Sequence, residues 1–396
     1  MIAIHGTGCS LVDNLYSYCD FSSPAFKQVL SRKEADGGLS PGRLVFAEDF
    51  ERFTGKLYEN ALAQITGAPP NSRNLGGPSV VSLAHTAQVL ADRADVRFFG
   101  VKGNDESADY VERAIRKIPF REYHLVKKDF PSPRTDVISD PNYDNGHGER
   151  LFINLPGAAN HFYPDDLDEG FFNAGIVEFG GTALVPHIHE CLTELLKRAK
   201  EAGAVTVVNL VYDFHSGLKR PGQKWKLGAK DDAYPYIDML IADRDEAVKT
   251  SGVSSVKDAV CWFVSRGAGA AIVTEGSRSV TLAAGTGVFS PMEITSMPVC
   301  EEIDRELAAF PERRGDTTGC GDNFAGGVIA SIAEQLDASG KGALDIRECV
   351  IHGVPAGGFA CFTVGGAYNE SEPGEKRKLL EPYVDAYRRQ LAFPVT

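Results

Sequence analysis

Arg314-Gly315-Asp316-Thr317-Thr318-Gly319-Cys320-Gly321-Asp322-Asn323-Phe324-Ala325-Gly326-Gly327 runs directly into an apolar helical stretch, Val328-Ile329-Ala330-Ser331-Ile332-Ala333. The first turn of a helix carries N–H groups without helical partners and a partial positive charge. Glycines let that backbone approach a phosphate closely, because no Cβ stands in the way. Asp322 is a poor phosphate ligand at such a place and a good base beside one. The stretch therefore points to phosphoryl transfer rather than simple anion storage.

Outward from this loop the chain alternates short apolar runs with helical patterns. Strands are expected at 2–5, 96–99, 175–180, 204–210, 238–242, 270–274 and 279–283. Helices are expected at 79–92, 106–117, 187–202, 244–251, 255–266, 322–335, 346–363 and 376–390. Strands separated by helix-length segments imply parallel pairing with helices on both faces of a sheet. Runs such as Ala204-Val205-Thr206-Val207-Val208 are apolar without alternation, as strands buried on both sides are. Three stretches break the rhythm. Residues 13–75 are rich in polar and turn residues. Residues 119–156 hold Pro131, Pro133, Pro141 and Pro156, with 134–139 and 150–154 flanking a Gly/Asn/His turn that reads as a hairpin. Together these two would form a small lid of strands beside the sheet. Residues 213–236 read as a surface insertion anchored by Trp225.

The chain has 396 residues and a formal net charge of −13, which argues against a general nucleic-acid or anionic-membrane binder. Its eight cysteines form no CxxC pair, so reduced thiols in a cytoplasmic enzyme are expected. No apolar run reaches the length of a membrane span. Neither a G-x-x-x-x-G-K-[ST] loop nor a G-x-G-x-x-G fingerprint occurs. His187 and His189 would lie on different sides of a helix, so they are expected to be surface histidines and not metal ligands.

The segment Asp316-Thr317-Thr318-Gly319-Cys320-Gly321-Asp322-Asn323-Phe324 resembles the C-terminal signature of the PfkB/ribokinase family of carbohydrate and nucleoside kinases, D-T-x-G-A-G-D-x-F, with Cys320 the one departure. Other landmarks resemble the family in order: Gly6-Thr7-Gly8 with Asp13, Gly76-Gly77, Phe99-Gly100-Val101-Lys102-Gly103-Asn104-Asp105, Asp243-Arg244-Asp245-Glu246-Ala247, Val273-Thr274-Glu275-Gly276, and the stretch from His352 through Gly366. The match spans about residues 2–370. It implies one ribokinase-like domain over 1–396: a doubly wound, mainly parallel sheet with helices on both faces and a small β-strand lid within 13–75 and 119–156.

The resemblance implies an ATP-dependent phosphotransferase acting on a hydroxymethyl group of a sugar or nucleoside. Asp322 would be the general base. The N–H groups of Gly319, Cys320 and Gly321 would form the anion hole. Asp13, Asn74, Gly77 and Asn209 would hold the acceptor, and Thr274, Gly276 and His352 would face ATP. Glu246, assisted by Asp243, would act on Mg²⁺ through water, since Mg²⁺ keeps most of its waters. Asp316 resembles the monovalent-cation site, K⁺, of some relatives. Read without the family, Asp322 is a helix-capping acid and Asp243/Glu246 an acidic first helical turn. Asp243 stands where the family usually has Asn, and the helix after Gly77 lacks an asparagine that often touches the sugar. Both leave open whether the acceptor is a free sugar or a nucleoside such as adenosine. A catalytically silent ligand-binding protein on the same fold is the competing class. A homodimer through the lid edge is compatible with the family. Cys320, at a helix N-terminus, is expected to be a reactive thiol.

Overall fold

The computed structural model describes residues 1–392 except 34–35, 147–148, 221, 316 and 340–341. Among the described residues the strands are β1 (Ile2–Gly8), β2 (Leu11–Tyr16), β3 (Leu44–Phe46), β4 (Ser72–Gly76), β5 (Ala94–Lys102), β6 (Glu122–Lys127), β7 (Arg134–Asp140), β8 (Glu149–Leu155), β9 (Ile176–Gly180), β10 (Val205–Asn209), β11 (Met239–Asp243), β12 (Ala270–Thr274), β13 (Ser279–Ala284) and β14 (Met292–Pro298). Five helices shape the site: α1 (Pro78–Leu90), α2 (Arg244–Ser251), α3 (Cys320–Ser339), α4 (Ile346–Phe359) and α5 (Glu375–Ala392).

The larger sheet runs β14-β13-β12-β11-β10-β9-β1-β5-β6. Every pairing from β12 to β6 is parallel, and β13 and β14 add antiparallel. The period of two along each strand divides the apolar side chains between two cores. Ile176, Val207 and Ile272 face α1, α3 and α4 through Val80, Leu83, Val328, Ile329 and Val350. Their neighbours Val177, Val208 and Val273 face the helices Leu192–Glu201 and Val256–Ser265. The expected doubly wound architecture is therefore present, with all seven expected strands in this sheet.

A second, mixed sheet runs β3-β8-β7-β2-β4. The expected hairpin is β7–β8, antiparallel from Arg134↔Leu155 to Asp140↔Glu149. One face carries Tyr16, Ile138, Leu151 and Ile153, packed on Phe26, Phe50, Tyr58 and Leu62. The last three lie on the helices Ala47–Thr54 and Tyr58–Thr66, which the sequence pattern does not announce.

Several boundaries differ from expectation. The 119–156 stretch does not all go to the small sheet: β6 pairs parallel with β5 and closes the edge of the large one. β14 lacks a sequence signal because, as an edge strand, it buries only Met297. The helix expected over 187–202 breaks at Cys191 into Pro186–Glu190 and Leu192–Glu201. Trp225 is buried, edge-on to Tyr212 at 4.7 Å between ring centres, and does anchor the 213–236 segment. No helix of the described residues is long and apolar enough to cross a membrane.

Candidate active site

The parallel strands end together. Gly8, Gly180 and Asn209 are in register at the carboxyl ends of β1, β9 and β10. On β11 and β12 the matching pair is Asp243 and Thr274. Helix α3 begins at this same edge, which is where open α/β sheets bind their ligands. Asp322 stands in its first turn. It keeps some solvent contact, yet enclosure of its carboxyl pushes the pKa up to about 6, with the Asn209 side chain opposing the shift. Asn209 Nδ2 is buried, and among the described residues no acceptor meets full hydrogen-bond geometry with it. The structure thus brings Asp322 and Asn209, 113 positions apart in the chain by their numbers, to one point.

The loop ahead of α3 is tightly held. Gly319 has φ +76°, and a side chain there would collide with the backbone of Gly366. Only glycine satisfies both conditions without strain. Asn323 Nδ2 donates to the carbonyls of Gly319 and Gly366, both at 2.8 Å, tying the loop to the exit of α4. Its Oδ1 accepts from Lys376 Nζ of α5 at 2.8 Å and lies 3.0 Å from His85 Nδ1 of α1. Lys376 is fully buried, and burial pulls its ammonium down to about 7. Cys320 N–H makes a long 3.4 Å bond to the Thr317 carbonyl, while the space that a Gly321 side chain would enter is open.

Asp243 and Glu246 close a reciprocal capping box on α2. Asp243 Oδ1 accepts from the Glu246 N–H and Glu246 Oε2 from the Asp243 N–H, each at 2.8 Å. Burial, with Asp243 next and Asp322 a smaller contributor, pushes Glu246 up to about 8; partial desolvation also raises Asp243, whose side chain stays exposed. No described Lys or Arg contributes to either shift. The helix-capping account of these acids is therefore satisfied in full, and two neighbouring acids whose ionised forms are disfavoured remain at the strand ends. Such a pair suits a hydrated divalent cation.

The small sheet supplies the opposite wall. Directly paired residues share a face, and the pairs Phe46↔Asn154, Asn154↔Thr135, Thr135↔Asp13 and Asp13↔Asn74 form one row across all five strands. Asn154 Nδ2 donates to Thr135 Oγ1 at 3.0 Å within it. The row meets the large domain at both ends: Phe46 stacks on His215 at 4.4 Å, and Asn74 packs against Gly365. The next row outward, Leu44, Phe152, Val137 and Leu15, is apolar. Gly77, at φ +107° before α1, packs on Cys9 and Ser10 in the crossing from β1 to β2.

Asp322, Gly319, Cys320, Gly321, Asn209, Asp243 and Glu246 thus share the strand-end edge, with Asp13, Asn74 and Gly77 on the wall beside it. Thr274 ends β12, and Gly276, at φ +61°, makes the following turn. His352 lies on α4. Its ring lies 3.3 Å from Glu348 and 3.2 Å from Arg388, with Glu334 at 3.9 Å, in the packing of α3, α4 and α5. Asp316 lies outside the described residues. His189 is half-buried: Nδ1 is 2.9 Å from Thr182 Oγ1 and Nε2 3.0 Å from the Lys226 carbonyl, and desolvation lowers its pKa. His187 stacks on Tyr163. Among the described residues no group of three or more His, Cys, Asp or Glu is arranged to hold a metal.

Sequence reasoning missed Asn323, Lys376, Thr135, Asn154 and Glu178. Glu178 is buried in β9, bonded to Ser82 Oγ at 2.5 Å and Ser79 Oγ at 3.2 Å, and burial pushes it up to about 8. A charged residue inside an otherwise apolar strand was a visible signal for it. Asn323 adjoins Asp322, but Lys376 looks like any exposed helical lysine in the sequence.

This sheet order, with an acid at the first turn of a helix abutting the strand ends and a second sheet as the facing wall, is that of the ribokinase-like small-molecule kinases. The ribokinase of Thermotoga maritima superposes with a TM-score of 0.63 at 17% identity, covering 97% of this chain and 100% of that one. Adenosine kinase from Schistosoma mansoni, in complex with 2-fluoroadenosine, does so with a TM-score of 0.68 at 16% identity, covering 93% and 97%. The chain belongs to the pfkB family of carbohydrate kinases, whose model matches residues 76–373. It is an ATP-dependent phosphotransferase with an alcohol group as acceptor. The adenosine kinase of Schizosaccharomyces pombe is 25% identical over 283 residues, 67% of this chain and 75% of the relative.

Proposed function

We propose that this kinase transfers the γ-phosphoryl group of ATP to a hydroxymethyl group of a sugar or nucleoside, with Asp322 as general base. The observation that carries the reading is the enclosed Asp322 carboxyl, pushed up to about 6, in the first turn of α3 beside the open space at Gly321. A base of that pKa is ionised near neutrality and still accepts a proton readily. It takes the hydroxyl proton as the oxygen attacks the γ-phosphorus and the bond to ADP breaks. The first-turn N–H groups, Cys320 and Gly321 among them, face the oxygens of the transferring group. Glu246 and Asp243 would hold Mg²⁺ through its waters, and the ion would neutralise charge on the nucleotide phosphates.

The acceptor's hydroxyls meet the row Asn74–Asp13–Thr135–Asn154, with Asp13 able to accept from two of them. The small sheet acts as a lid that excludes water, the competing acceptor. A nucleoside acceptor is favoured by a further observation: the apolar row Leu44–Phe152–Val137–Leu15 lies beyond the polar one, where an aromatic base extending from a ribose would go.

An ATPase-coupled panel of nucleosides, pentoses and hexoses tests both readings. A hydroxymethyl acceptor is expected to be phosphorylated by the wild-type chain. Asp322→Asn should lower turnover by about 10²- to 10⁴-fold while ATP binding survives. Near-wild-type turnover in that variant removes Asp322 from the base role. Tight ATP binding with no acceptor turned over points to a silent binding protein.

A further inference from the structure

The one departure of the catalytic loop from the family signature, Cys320, has a neighbour that no sequence spacing announces. Cys361, in the turn Ala360–Phe362 that follows α4, places its sulfur 3.5 Å from Cys320 Sγ. Both side chains keep partial solvent access. The backbone brings them together from both sides. The Gly315 N–H donates to the Cys361 carbonyl at 2.8 Å, and a side chain at Gly357 of α4 would stand 3.0 Å from the Cys320 carbonyl. The first residue of α3 and the exit of α4 are thus packed backbone to backbone, with two thiols in van der Waals contact across the seam.

We propose that Cys320 and Cys361 are an oxidation site: a thiol pair that closes reversibly to a disulfide and, in closing, disables the anion loop. The oxidant is a small organic disulfide. One cysteine thiolate attacks it and releases one thiol, leaving a mixed disulfide. The second cysteine then attacks that bond, releases a second thiol and forms the Cys320–Cys361 bridge. The two cysteines are oxidised, the small disulfide is reduced to two thiols, and the two cysteine protons end, by way of solvent, on those released thiols. A bonded pair of sulfurs is ~2.05 Å apart, so the two must approach by roughly 1.5 Å. The seam offers little slack, because Gly319 is packed on Gly366 and Gly315 is tied to Cys361. Cys320 carries one of the N–H groups assigned above to the anion hole. A displacement of ~1 Å at such a group costs about 100-fold in rate.

The effect on turnover rests on the proposed function; the bridge itself does not. The test equilibrates the full chain in buffers of graded reduced-to-oxidised glutathione ratio, blocks free thiols by alkylation, and maps peptides by mass without reduction. Turnover and ATP binding are read in the same samples. The expected result is a linked peptide containing residues 320 and 361, a roughly 100-fold fall in turnover, and recovery of both in dithiothreitol. Cys361→Ser should keep its turnover in the oxidised buffer. Absence of the 320–361 peptide in fully oxidised glutathione overturns the proposal. So does a linked peptide with unchanged turnover, or an equal loss of turnover in Cys361→Ser. A reduced chain that phosphorylates no acceptor defeats the kinase reading instead; the linked peptide and ATP binding then still decide for or against the thiol pair.

Discussion

At the scale of the residue, the base role proposed for Asp322 rests on where its carboxyl is held. Enclosure raises its pKa to about 6, against 3.8 for an ordinary aspartate. Below that pH the group carries the proton it would need to accept, so kcat/KM is expected to fall as pH drops through about 6. The measurement is kcat/KM against pH; a profile flat from pH 7 to 5 would show that this carboxyl is not the base. The same shift has a stability sign. Between 3.8 and about 6 the folded chain retains a proton that the unfolded chain has released, so this group's contribution to stability diminishes as pH rises through that window. Gly319 shows the other kind of residue-scale constraint: its φ of +76° and its contact with Gly366 exclude any side chain.

Among the elements, α3 and α5 are joined by one polar contact set. Asn323 spends both of its Nδ2 hydrogens on carbonyls, those of Gly319 and Gly366, and is itself held by Lys376. Asn323→Ala takes the side-chain donor from the Gly366 carbonyl, while the Gly319 carbonyl keeps the residue-323 N–H and Lys376 keeps Gln88 Oε1 at 3.2 Å, so the expected cost is about 1–3 kcal/mol. The expected outcome is a lower unfolding midpoint in denaturant together with a fall in kcat larger than the change in ATP affinity, because the proposed anion loop ahead of α3 loosens. A variant that loses stability with kcat unchanged would show that Asn323 braces the fold and not the loop. The capping box on α2 has the same double character. The signature Asp243-x-x-Glu246 was legible both as a helix start and as a metal-side motif, and the geometry satisfies the first while leaving two acids side by side whose ionised forms are disfavoured.

For the whole molecule, the site lies between two sheets joined by short crossings, including Cys9–Ser10 between β1 and β2 and Gly77 between β4 and α1. The small sheet has an apolar cluster of its own on one face, while Val12 of β2 and Leu75 of β4 belong to the cluster of the large sheet. Binding of acceptor with a non-hydrolysable ATP analogue is expected to slow amide hydrogen exchange in β2, β4 and β7, which carry Asp13, Asn74 and Thr135. Unchanged exchange in those strands on saturation would argue against a closing lid.

The alternation of apolar strand and helix, read along the sequence, determined the doubly wound large sheet, because burial on both faces leaves an unbroken apolar run. The glycine-rich loop before α3 likewise announced phosphoryl transfer, since its residue types follow from local backbone chemistry. The edge strands β6 and β14 and the small sheet's row were not legible. Edge strands bury few side chains, and a row across five strands is set by register between segments far apart in the chain. Lys376 buried against Asn323, His352 drawn into the α3–α4–α5 packing, and Cys361 beside Cys320 were decided only by tertiary structure. Contacts of that kind depend on how helices dock, and docking is a property of the assembled surfaces rather than of any local pattern.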